Sequence, residues 1–156
     1  MSPLFSKEKD DAQDNGREWL LPEDARKQVE KIFANLPTPV TLSVFTGEKG
    51  NEVYNDYMAR FADDVGEICP NIEVEFFGID GEEALTYGVE HSPTMLVSKD
   101  DFGIRFVGAP LGEEGRAFVE SVLRVSSRES GLSPTSAQIL EELGDKRHVR
   151  VFTSPG

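Results

Sequence analysis

The sequence predicts an α/β fold with a mixed central sheet, its elements running β-α-β-α-β-β-α over residues 40–125. Three observations lead there. Residues 40–45 (VTLSVF) and 94–98 (TMLVS) are short, apolar and β-branched runs bounded by turn residues, the pattern of sheet strands. Between the first run and the alternating segment 72–76 (IEVEF), apolar residues fall at Val53, Tyr57, Met58, Phe61, Val65 and Ile68, the spacing of one helical face. A strand, a helix and a second strand in succession imply a parallel pair with a crossover. The loop KDDFG at 99–103 then returns the chain as an antiparallel hairpin.

The elements follow in order. Residues 1–20 read as a mobile polar leader, since MSPLFSKEKDDAQDNG lacks the apolar core of a signal peptide. From Leu21 to Leu36 an amphipathic helix is expected. Pro22, Glu23 and Asp24 suit its positive N-terminal end, Ala25, Val29, Ile32, Phe33 and Leu36 form its apolar stripe, and Pro37 and Pro39 end it. Glu82 to Tyr87 reads as a short helix stopped by Gly88. Ile104 to Val107 is the returning hairpin strand. Gly108-Ala109-Pro110-Leu111-Gly112 breaks the pattern, and Glu113 to Val125 closes the unit as a helix with Phe118, Val119, Val122 and Leu123 inward.

After Arg128 the chain restarts. Ser133 and Pro134 suit a helix start, Ala137, Ile139, Leu140 and Leu143 form a stripe, Gly144 stops it, and Val149 to Phe152 reads as a strand. Helix, strand and glycine loop also succeed one another over 22–50. Residues 21–128 are therefore expected to form one complete unit, and 129–156 the opening helix and first strand of a second, truncated copy.

Composition narrows the function. The 156 residues are 38% hydrophobic, enough for one domain with a proper core. A net charge of −13 argues against nucleic acid or an anionic membrane as partner, because phosphates need Lys and Arg to replace their counterions. The single cysteine, Cys69, rules out an internal disulfide framework and fits a reducing, cytoplasmic setting. Cys69 with His91 and His148 cannot supply the four ligands of a structural zinc site, so no metal is expected. Pro110 and the acidic Glu113 and Glu114 make the glycine-rich stretch 108–115 a poor phosphate cradle, and no cofactor is expected. The acidic pairs Glu82-Glu83 and Glu141-Glu142 read as solvated helix faces.

Taken together, LPTPVTLSVFTG, YGVEHSPTMLV, FGIRFVGAPLGEEGRAFVESVL and RVFTSPG resemble the N-terminal unit of the glutaredoxin-like protein disulfide oxidoreductases, which are tandem thioredoxin folds. GAPLGEEGRAF is also similar to the N-terminal domain of the alkyl hydroperoxide reductase flavoprotein subunit, whose first unit is redox-dead. The resemblance covers roughly residues 22–156 and implies a thioredoxin-like fold. It also implies that the loop after the first strand opens a helix at a Cys-x-x-Cys pair, where the helix end stabilises a thiolate and the spacing lets one thiol resolve the other's mixed disulfide. Here those positions read Asn51-Glu52-Val53-Tyr54, with Asn51 and Tyr54 where the thiols would be. Neither can form a thiolate, so no catalytic residue is assigned. Pro93 matches the proline that is typically cis in this fold, which makes Ser92, Pro93 and Thr94 a candidate partner-binding turn. The plainer alternative is that Pro93 only turns the chain into its strand. Cys69, at the far end of the helix from Asn51, reads as a small buried hydrophobe.

Three functions are consistent with this pattern. The first is a redox-inactive unit that serves as the scaffold or docking half of a thiol-disulfide oxidoreductase, held to a protein partner or a missing second thioredoxin unit. The second is the N-terminal part of a two-unit enzyme whose active site follows Gly156, possible if a selenocysteine UGA codon is read as a terminator there. The third is a stand-alone, non-redox interaction protein. A homodimer through residues 133–156 is a further possible partner arrangement. Thiol-disulfide exchange is not expected from this chain alone.

Overall fold

The computed structural model describes residues 16–110 and 112–153. Most of the expected leader, Leu111 and the turn at 154–156 lie outside the described residues. The elements are α1 (Glu23–Phe33), β1 (Val40–Thr46), α2 (Glu52–Ile68), β2 (Ile72–Gly78), α3 (Glu82–Thr86), β3 (Thr94–Val97), β4 (Ile104–Val107), α4 (Glu113–Ser127) and α5 (Pro134–Glu141). The strands form one mixed sheet in the order β2-β1-β3-β4. β1 pairs parallel with β2, Val40 opposite Ile72, and antiparallel with β3, Val44 opposite Met95. β3 and β4 form the hairpin, Thr94 opposite Val107. This is the mixed α/β architecture and element order that the sequence predicts.

Side-chain alternation along β1 divides the core in two. Val40, Leu42 and Val44 face one side, where with Ile72, Met95 and Val97 they meet Phe33, Met58, Phe61, Val65, Phe118 and Val122 from α1, α2 and α4. Phe118 is the hub of this layer. Its ring stands edge-on to Phe61 at 5.1 Å, Phe106 at 6.1 Å and Phe33 at 6.5 Å between centroids. On the other side Phe45 and Leu96 are closed by Ala84 and Val89, in and just after the short α3. The same face carries a polar cluster. Buried Ser43 donates to the Glu75 carboxylate at 3.0 Å, and Lys99 pairs with the same carboxylate beneath the rings of Phe77 and Tyr87. The Lys99 bond and that of Ser43 hold the Glu75 carboxyl below its ordinary pKa.

Two clamps fix the ends of the elements. Thr38 and Ser126 exchange side-chain and backbone hydrogen bonds of 2.6–3.1 Å, tying the end of α4 to the start of β1. Asp64, buried on α2, accepts the backbone N–H groups of Leu20 and Leu21, each at 2.8 Å. Arg17 reaches Asp63 and Asp64, and the guanidinium groups of Arg17 and Arg26 both lie over the Trp19 ring. Residues 17–20, expected in the leader, are thus docked on α1 and α2. A buried carboxylate on another helix does this, a long-range interaction that the polar local sequence does not announce.

The second departure lies at the other end. α5 forms as expected, with the Ser133 hydroxyl accepting from the Ser136 N–H at 3.1 Å, but none of its residues is buried. Val149 to Phe152 form no strand, and Val149, Val151 and Phe152 are 81–89% exposed. A β-branched run becomes a strand only when an edge accepts it, and no strand adjoins this one among the described residues.

Phe118→Ala is expected to cost about 3–5 kcal/mol, as for other fully buried aromatics, read as a lower urea midpoint with an unchanged slope. Asp64→Ala leaves two amide donors unmatched and is expected to cost about 2–4 kcal/mol, with faster hydrogen exchange at Leu20 and Leu21.

Candidate functional site

The C-terminal end of β1 delivers the chain through Gly47–Gly50 to the start of α2. The turn before β3 comes up beside it, because β3 is the neighbour of β1. Sheet order alone therefore brings Asn51 to Ser92, 41 positions later in the chain. The Asn51 side-chain amide donates to the Ser92 backbone carbonyl at 3.0 Å. Asn51 stands at the N-cap of α2 in the left-handed region, φ 55°, yet its side chain caps nothing in the helix and crosses to the turn instead. The Ser92–Pro93 peptide bond is cis.

Around this contact the loops are braced from below. The Pro93 carbonyl accepts the Gly108 N–H at 2.8 Å, and the Thr94 hydroxyl donates to the His91 carbonyl at 2.7 Å. Asn55, one turn into α2 and buried, holds the loop from inside: it accepts from Gly47 N–H at 3.3 Å and donates to the Gly50 carbonyl at 3.0 Å. Gly47 passes so close to the turn that a Cβ there would stand 2.8 Å from the Ser92 hydroxyl oxygen. The sequence marked Gly47 only as part of a loop, and Asn55 was passed over. Asn55 was legible in principle, as a polar residue three positions before Met58 on the inner face that it shares with Asp64. Val53, counted in the apolar stripe, is instead 78% exposed on the first turn. Tyr54 is half exposed beside it, and Val107, opposite Thr94, is exposed as well.

The structure brings Asn51, Ser92, Pro93 and Thr94 together, with Tyr54 on the adjoining helical turn. It does not bring Cys69 to them. Cys69 caps the C-terminal end of α2, 2% exposed, in a cleft lined by Phe33, Ile68 and Pro70. Burial, with help from the Glu30 charge, pushes its thiol up to about 11. Such a thiol is protonated at neutral pH and is no nucleophile. Among the described residues no group of three His, Cys, Asp or Glu side chains is arranged to hold a metal, and no helix is long and apolar enough to cross a membrane. The site offers amides, a turn and exposed apolar side chains, and the chain's single thiol, Cys69, lies away from it.

Solved structures share this fold. A protein disulfide oxidoreductase from Aeropyrum pernix superposes with a TM-score of 0.70 at 27% identity, over 80% of this chain and 57% of that one. This chain has a thioredoxin-like fold, related to the protein disulfide oxidoreductases. The N-terminal domain of the alkylhydroperoxide reductase AhpF from Enterococcus faecalis matches at 0.65 and 28% identity, over 76% of this chain and 58% of that one. A cysteine mutant of AhpF from the same organism matches at 0.66 and 28%, over 78% and 59%. The thioredoxin-like chain thus spans less than two thirds of these relatives. No protein-family model and no curated protein matches it.

Two consequences of the Cys69 environment are measurable. At pH 8 its alkylation in the folded chain is expected to be at least about a hundredfold slower than in urea, the factor set by a thiol raised from 9.0 to about 11. A folded-state pKa raised in this way stabilises the fold below about pH 9 and loses that contribution as pH climbs through 11. Cys69→Ala is expected to flatten that alkaline decline in denaturation midpoints.

Proposed function

We propose that this chain is a redox-inactive thioredoxin-like unit of a thiol-disulfide oxidoreductase system, acting as its scaffold or partner-docking half. The observation that carries this reading is the crossing hydrogen bond from Asn51 to Ser92. The positions matching the redox pair hold Asn51 and Tyr54, and Asn51 spends its amide on securing the turn at Pro93. The loops are built and braced like a functional site, and the nucleophile is missing from them. Val53, Tyr54 and Val107 give the same end of the sheet exposed apolar surface, which suits a protein partner better than a small charged substrate.

The test is reduction of insulin disulfides by dithiothreitol, followed by turbidity, with the purified chain. The rate is expected to equal that without protein, and Cys69→Ser is expected to change nothing. Dithiol-dependent turnover that disappears in Cys69→Ser would overturn the proposal.

A second reading is favoured by the coverage of the relatives, of which this chain matches 57–59%. On that reading the chemistry belongs to a second thioredoxin unit following residue 156, with a selenocysteine or cysteine at its first redox position. The nucleotide sequence decides it. An in-frame TGA followed by a thioredoxin-like reading frame is the expected result for selenocysteine, and a TAA or TAG codon there removes that version.

A further inference from the structure

The sheet has a free acidic edge, and the chain carries an exposed basic segment that fits it. β2 is an outer strand of the sheet. Its alternation puts Ile72, Val74 and Phe76 on the helix-covered face, and Glu73 and Glu75 on the other, opposite Thr41 and Ser43. Phe76 is half exposed at the rim. From Lys146 to Phe152 the chain reads KRHVRVF, with no acidic residue in a protein of net charge −13. Val149, Val151 and Phe152 of that segment are among the most exposed apolar residues present. Arg150 and Glu73 have no ion pair among the described residues, whereas Arg147 already pairs with Asp145.

We propose that residues 148–152 of a second copy of this chain add to the outer edge of β2 as a parallel strand, reciprocally in a two-fold dimer. One register satisfies every position. His148 lies beside Glu73, Val149 beside Val74, Arg150 beside Glu75 and within diagonal reach of Glu73, Val151 beside Phe76, and Phe152 beside Phe77. Slipping by one residue would turn Arg150 onto the apolar face, so the pattern fixes the register. Unpaired amides on an exposed strand edge are the usual site of such addition. The occupant comes from a second copy because, within one chain, Thr153 is bonded to Glu114 at the start of α4, and α4 packs over β1 and β3 rather than β2. The inference is independent of the redox reading.

The backbone supplies a selective test. Asn71 C=O accepts from Val40 and Ile79 N–H donates to Thr46, so the odd-numbered backbone groups from 71 to 79 point toward β1 and the even-numbered ones point outward. Phe76→Pro therefore removes an outward donor while sparing the pairing with β1. Light scattering on the eluting intact chain is expected to give twice the chain's mass, and Phe76→Pro the single mass. Arg150→Glu, in a segment outside the core, is expected to weaken the dimer at least about tenfold, as is Glu73→Arg, and the two together are expected to restore it. A monomer at every concentration overturns the proposal, as does a dimer that survives both Phe76→Pro and Arg150→Glu. A monomer whose Phe76 amide is protected from exchange, with protection lost in Arg150→Glu, means the segment folds back on its own chain and overturns it equally.

Discussion

Strand β1 exchanges backbone hydrogen bonds with β2 on one side and β3 on the other, and both of its faces are sealed from water. Val40, Leu42 and Val44 lie under three helices, while Ser43 and Phe45 lie under the opposite layer, all fully buried. Every other element is placed by this strand. The helix crossover to β2 must return parallel, β3 must enter antiparallel, and the two core layers are the two sides of one seven-residue run. Ser43 shows how strict the constraint is. A hydroxyl in so dry a position needs a partner, and Glu75 on the neighbouring strand supplies it, held in turn by Lys99.

The candidate site is a consequence of that strand. Where β1 ends, its loop and the turn entering β3 must lie side by side, because the strands they adjoin are paired. What the residues add is closure. Gly47 allows the approach, Asn55 ties both ends of the loop from beneath, and Asn51 bridges to Ser92 from above. These bonds persist without any thiol chemistry, since none of them involves sulfur. Asn51 and Tyr54 are exposed, so the identity of their side chains matters little to the packing of the core.

Much of the fold was legible because it is written locally. Periodicity located α1, α2 and α4, the β-branched runs located β1 and β3, and Ser133 with Pro134 located the start of α5. Two features escaped for a common reason: both depend on partners far away in sequence. The segment 17–21 is polar and aromatic in mixture and looks untethered until Asp64, 43 positions on from Leu21, accepts its amides. Val149 to Phe152 has strand composition but pairs with no edge of the described chain, so composition alone overstates it. At the site, the neighbourhood of Asn51 and Pro93 followed from topology and resemblance. The brace by Asn55 did not, because a helical stripe is read from its apolar members, and the polar residues on the inner face, Asn55 and Asp64, are passed over.

Charge distribution links these observations. The acidic excess is spread over the body of the protein, on exposed helix faces and on the free face of β2, where only Glu75 is neutralised by an internal cation. Repulsion among such carboxylates keeps like surfaces apart and makes indiscriminate self-association unfavourable. Against that background the segment from Lys146 to Phe152 stands out as basic, apolar and unburied, following an α5 of which no residue is buried either. An exposed apolar run beside basic residues is the kind of segment that a free strand edge can take up through its amides.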